Sequence, residues 1–110
     1  MALASYEQAL SLFRQVGDRL GEANCYLAQG RVVLEEGDLD KALALHTDAY
    51  QLYQQIQDGY SQARLLYYRS FVYEAMDKQS LAIQDIEAAS SSLNDLISLS
   101  LTSFSSVWMP

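Results

Sequence analysis

The chain has 110 residues, the length of one domain, and carries seven basic against fourteen acidic side chains for a net charge of −7. That balance argues against nucleic acid and anionic membranes, which both reward a basic surface, and favours basic or neutral protein and peptide partners. The single cysteine, Cys25, cannot close an internal disulfide, and no apolar run reads as a bilayer span or a signal peptide, so a soluble, cytoplasmic protein is expected.

Proline is absent before Pro110 and every glycine lies before residue 60, so little interrupts helix formation and the predicted class is all-α. The first helix is predicted over residues 2–16, where Tyr6, Ala9, Phe13 and Val16 recur at i, i+3, i+7 and i+10, one stripe of a 3.6-residue helix. Gly17-Asp18 ends it and caps the next helix, over 19–36. There Ala23, Tyr26, Leu27, Gly30, Val33 and Leu34 form a stripe that Cys25 and Val32 widen, the pattern of a helix held between neighbours. Gly37-Asp38 repeats the turn before a helix over 39–56, whose Ala42, His46, Ala49, Tyr53 and Ile56 restore the single stripe of the first. Helices over 59–76 and 79–96 complete about five. Their preceding turns, Gln57-Asp58 and Asp77-Lys78, lack the glycine and are expected to be less well defined.

The helices repeat with a period of forty. Residues 6–18, YEQALSLFRQVGD, return as residues 46–58, HTDAYQLYQQIQD, with Ala9 on Ala49, Leu12 on Leu52, Phe13 on Tyr53, Val16 on Ile56 and Asp18 on Asp58. The same offset places Ala23 on Ala63, Val32 on Val72, Ala42 on Ala82 and Ala49 on Ala89. Such a period marks a stacked array in which each unit buries its apolar face against its neighbours, here an α-solenoid of antiparallel helix pairs.

Tyr26, Gly30, Gly37-Asp38, Ala42, His46 and Ala49 together resemble the tetratricopeptide repeat: an aromatic, Leu-Gly, a Gly-Asp turn, then A-x₃-F/Y and a further alanine. The chain looks like the longer, roughly forty-residue variant of kinesin light chains and of Leu-Gly-Asn-repeat proteins. Gln29 and Arg69 stand where the pattern has leucine, Ser70 replaces the second glycine, and His46 and Ile86 replace an aromatic. On this register residues 1–93 form a tetratricopeptide-like superhelical array: a half repeat at 2–16, then repeats at 19–56 and 59–93. The half repeat, an outer helix without its inner partner, points to a piece of a longer array or to an edge covered by another copy. Residues 94–110, rich in serine and apolar side chains, are open to three readings: a capping helix, a mobile docking tail, or a segment foreign to the array.

On a helical wheel Asn24, Ala28, Arg31 and Glu35 lie opposite the apolar stripe, and Arg64, Tyr68, Phe71 and Ala75 repeat them. In the proteins this chain resembles, the matching positions line a concave surface that receives extended peptides or partner helices. The candidate partner-binding residues are therefore Asn24, Arg31, Glu35, Arg64, Tyr67, Tyr68 and Phe71. The arginines offer bidentate bonds to a ligand carboxylate, Asn24 offers bonds to a peptide backbone, and the aromatics offer apolar area. Too few bases are present for the chaperone-tail clamp of some family members, and a mixed acidic and apolar segment suits these residues better.

His46 shares its position with Tyr6 and Ile86 and is expected to pack inward, and Cys25 reads as a small buried hydrophobe. One His and one Cys make no zinc set, the chain has no Gly-rich phosphate loop, and Glu35, Glu36, Asp38 and Asp40 lack calcium-loop spacing. No enzyme activity, cofactor or metal is expected. The function expected is a non-catalytic protein–protein interaction module. One alternative is self-association to a homo-oligomer through the bare edge of residues 2–16 or the tail; another is a regulatory part of a larger enzyme.

Overall fold

The chain turns the same way each time it reverses, and those turns stack its helices. The computed structural model describes the backbone of residues 2–108 and the side chains of residues 4–95. The elements are α1 (Ala2–Val16), α2 (Arg19–Glu35), α3 (Leu39–Gln55), α4 (Gly59–Ala75) and α5 (Gln79–Trp108). Asp18, Asp38 and Asp58 cap α2, α3 and α4, accepting bonds from the N–H groups of Gly21 (2.9 Å), Lys41 (3.2 Å) and Ser61 (3.0 Å). The Ser61 hydroxyl also donates to Asp58 at 2.6 Å, and these Ser61 bonds hold the Asp58 carboxyl below its ordinary range.

The two turns expected to be loose are not. Gln57 and Asp77 adopt φ values of 57° and 60°, beside 74° at Gly17 and 88° at Gly37. After each of the four, the next N–H closes on a carbonyl in the last turn of the helix: Asp18 on Phe13, Asp38 on Val33, Asp58 on Tyr53 and Lys78 on Tyr73, at 2.8–3.0 Å. Packing on both sides imposes the turn, and Gln57 and Asp77 bear the strain that glycine avoids. At the next such place the left-handed residue would be Ile97, whose β-branch disfavours that conformation, and α5 runs on to Trp108 without a turn. The readings of residues 94–110 as a cap or a mobile tail concern side chains that, from residue 96 on, lie outside the described residues.

Each helix packs on the next in the chain, and α2 also touches α4, so the chain is an all-α solenoid with α2 and α4 side by side. One core cluster joins Ala23, Leu27, Ala49, Tyr53 and Leu65, and a second joins Val33, Ala42 and Val72. Buried positions run around much of α2, including Cys25, Gln29 and Gly30, as its broad apolar pattern requires. His46 is fully buried, its ring lying so close to Gly30 that a Cβ there would sit 2.3 Å from Cδ2. α1 packs only against α2, with Phe13 against Gly21 and Arg14 bonded to Glu22 (3.3 Å) and Tyr26. Val16, predicted on the buried stripe, is 77% exposed, and Leu12 is 62% exposed, because among the described residues α1 meets no helix other than α2. Among the described residues, no helix is long and apolar enough to cross a membrane.

Candidate functional site

The side-by-side packing of α2 and α4 makes a shallow groove, and the predicted residues divide along it. Arg31 and Glu35 of α2, Tyr68 and Phe71 of α4, with Leu34 and the buried His46, line a hollow of about 230 Å³. Its wall is a cation–π contact: the Arg31 guanidinium carbon lies 4.7 Å from the Tyr68 ring centre. Arg31 and Glu35 also face a second hollow of about 250 Å³, lined by Tyr6, Ala28 and Val32. Three of its five residues map onto the first by the forty-residue period, Tyr6 on His46, Ala28 on Tyr68 and Arg31 on Phe71, so Arg31 stands between two related hollows.

The remaining candidates lie elsewhere. Asn24 is engaged in the scaffold, its Oδ1 accepting a 2.5 Å bond from the Tyr53 hydroxyl, and burial raises the pKa of that phenol. Arg64 and Tyr67 line a separate hollow of about 390 Å³ between α4 and α5, with Tyr60, Ala63, Ile86, Ala89, Ser90 and Leu93. Tyr67 forms the partition, its ring edge-on to Tyr68 at 5.7 Å and to Phe71 at 5.0 Å between centres.

Leu34 and His46 are the groove residues that the sequence reading missed. Both occupy core-facing stripes, and only the narrow cross-section at Gly30 lets His46 reach a position below the groove. Neither ring nitrogen of His46 has a hydrogen-bond partner. Burial pushes its pKa down to about 4; the Leu27 carbonyl nearby favours the charged form, without reaching bonding geometry, and Arg69 and Arg31 oppose it. The imidazole is therefore neutral near pH 7. Burial raises the Cys25 thiol pKa, which withholds the thiolate that nucleophilic chemistry requires. Among the described residues, no group of three or more His, Cys, Asp or Glu side chains is placed to hold a metal ion.

The arrangement can hold an extended segment against apolar rings while Arg31 meets a carboxylate. No curated protein and no solved structure matches the chain. A family model does: the tetratricopeptide repeat matches residues 1–55, half of the sequence, and covers α1, α2 and all of α3. With the Gly-Asp turns, the alanines at the helix crossings and the stacked helix pairs in place, the chain belongs to the tetratricopeptide-repeat family.

Proposed function

We propose that the protein is an interaction module that binds a peptide or partner helix in the groove of α2 and α4, with Arg31, Glu35, Tyr68 and Phe71 as the contact residues. Tetratricopeptide repeats are typically non-catalytic modules that engage other proteins, and a fold of this kind acquires function only through the site built on it. The observation that carries the reading is the Arg31–Tyr68 stack beside Phe71, which is 41% exposed: a cation held by an aromatic, next to unburied apolar area, over a ready-made hollow. A ligand segment alternating a carboxylate with apolar side chains satisfies both features, the carboxylate on Arg31 and the apolar group between Tyr68 and Phe71. We take residues 2–16 as a half repeat and 19–56 and 59–93 as full repeats of this module, with 94–110 outside it.

The test is a screen of immobilised peptides of this alternating type against the purified chain, followed by titration of the best by calorimetry. Arg31→Ala with Phe71→Ala is expected to weaken binding at least tenfold without changing helicity. Equal binding by that variant would remove the groove from consideration. A second reading, self-association through α1, is favoured by the exposed Leu12 and Val16 on that helix; a mass in light scattering that rises with concentration and is reset by Leu12→Glu would establish it.

A further inference from the structure

The face of α4 and α5 turned away from α3 reproduces, forty residues on, the face of α2 and α3 that α4 covers. On α2 and α3 that face is Ala23, Leu27, His46, Ala49 and Tyr53, none more than 5% exposed. Leu65 of α4 joins its apolar members in one cluster, and Tyr68 packs against them. The corresponding residues are Ala63, Tyr67, Ile86, Ala89 and Leu93. Ala63 and Ala89 stay buried, at 0% and 6%, so α4 and α5 approach as closely as α2 and α3 do, and the slot keeps its shape. The three larger side chains stand open instead: Tyr67 is 51% exposed, Ile86 45% and Leu93 38%, around the hollow of about 390 Å³. α5 runs on as one helix past the slot to Trp108.

We infer that this slot is a docking site for one amphipathic α-helix of a partner protein, carrying the stripe with which α4 covers the earlier slot. That stripe is Leu65 and Tyr68, a leucine and an aromatic at i and i+3, continued at i+7 by Val72, which packs against Val33 and Ala42. A helix fits because the slot lies between two antiparallel helices and offers no strand edge, and because a helix fills its counterpart. A second copy of the chain does not fit, since its own α4 stripe is already buried against α2 and α3. Among the described residues Arg64, which also lies near Tyr53 and Asp58, is the only charged residue lining the slot. This surface is separate from the groove of α2 and α4.

The probe is a fluorescent peptide of residues 59–75, stapled as a helix on the face opposite Leu65 and titrated into the full 110-residue chain by anisotropy. Saturable binding is expected, at least tenfold weaker for Tyr67→Asp with Leu93→Asp, and unchanged for Arg31→Ala. Tyr67 and Leu93 are partly exposed, so the first variant is expected to keep the parent's helicity and a cooperative melt, lowered only by the loss of the Tyr67 ring contacts. Absence of binding overturns the proposal. So does binding indifferent to Tyr67→Asp with Leu93→Asp, which means that the peptide has displaced α4 itself. A dimer of the free chain that dissociates with Leu93→Asp also overturns it, because a second copy then fills the slot.

Discussion

Arg69 of α4 grips Asp85 of α5 through two hydrogen bonds, from Nε to Oδ2 at 2.8 Å and from Nη2 to Oδ1 at 2.9 Å. Its guanidinium also lies 5.3 Å from the Tyr50 ring centre and 5.5 Å from that of Tyr73, so one side chain ties α3, α4 and α5. Forty residues earlier the same two places hold Gln29 and Leu45, and the Gln29 side-chain oxygen is buried without a partner. Asp85→Ala strands a buried cation and is expected to lower the unfolding free energy by about 3 kcal/mol. Arg69→Leu with Asp85→Leu removes both charges and is expected to lie within about 1 kcal/mol of the parent. Urea unfolding of the single and double variants checks both values, and a silent Asp85→Ala would mean that the pair is solvated.

His46 makes stability depend on pH. Its native pKa of about 4 lies below the unfolded value of 6.5, so the unfolded chain takes up the proton first. Its contribution is complete above pH 6.5 and is lost progressively as the pH falls towards 4, by about 2 kcal/mol at pH 5. No other histidine is present to contribute to this slope. Thermal melts at pH 7 and pH 5 are expected to separate for the parent and to draw together for His46→Phe.

Gly30 and His46 form one packing unit. Gly30→Ala drives a methyl group into the imidazole and is expected to destabilise the fold by about 2–4 kcal/mol, with much of the loss recovered in Gly30→Ala with His46→Ala. In the next repeat the corresponding residues are Ser70 and Ile86; Ile86 is 45% exposed, and the Ser70 hydroxyl donates to the Tyr67 carbonyl at 2.5 Å. Calorimetric melts of the single and double variants measure the coupling.

The turns supply a gain as well as a loss. Gln57→Gly relieves a left-handed backbone and is expected to raise stability by about 1 kcal/mol, while Gly37→Ala introduces that strain and is expected to lower it by a similar amount. Opposite shifts in melting temperature confirm the pair of effects.

Ala49 has no exposed surface and sits where α3 meets α2 and α4. Ala49→Glu buries a charge without a partner and is expected to abolish cooperative unfolding, followed by circular dichroism. A variant that melts like the parent would show that the forty-residue register is misplaced.

The fold was legible because its determinants are local and repeated. Aspartate caps, glycines at left-handed turns and alanines at crossings can each be read from short windows, and the period extends them along the chain. The site was less legible, since it depends on which neighbour each periodic position meets. Tyr6, His46 and Ile86 occupy one register position and end half-buried, fully buried and exposed. Asn24 and Arg64 also share a position and both reach Tyr53, yet only Arg64 lines an open slot. The Arg69–Asp85 pair crosses from one helix to another and leaves no periodic trace. Arg69 alone reads only as a departure from leucine, and the simultaneous change of Leu45 to Asp85 was the available signal.

Because each helix rests on its neighbours in the chain, with α2 against α4 as the longest reach, no contact joins the two ends of the described array. Loop closure therefore costs little at each step of folding, and assembly can spread from whichever helix pair forms first. A molecule pulled by its ends would peel one helix at a time, beginning at α1, and would not resist as a single unit. The α2–α3–α4 block, which holds both core clusters, would be the last to let go.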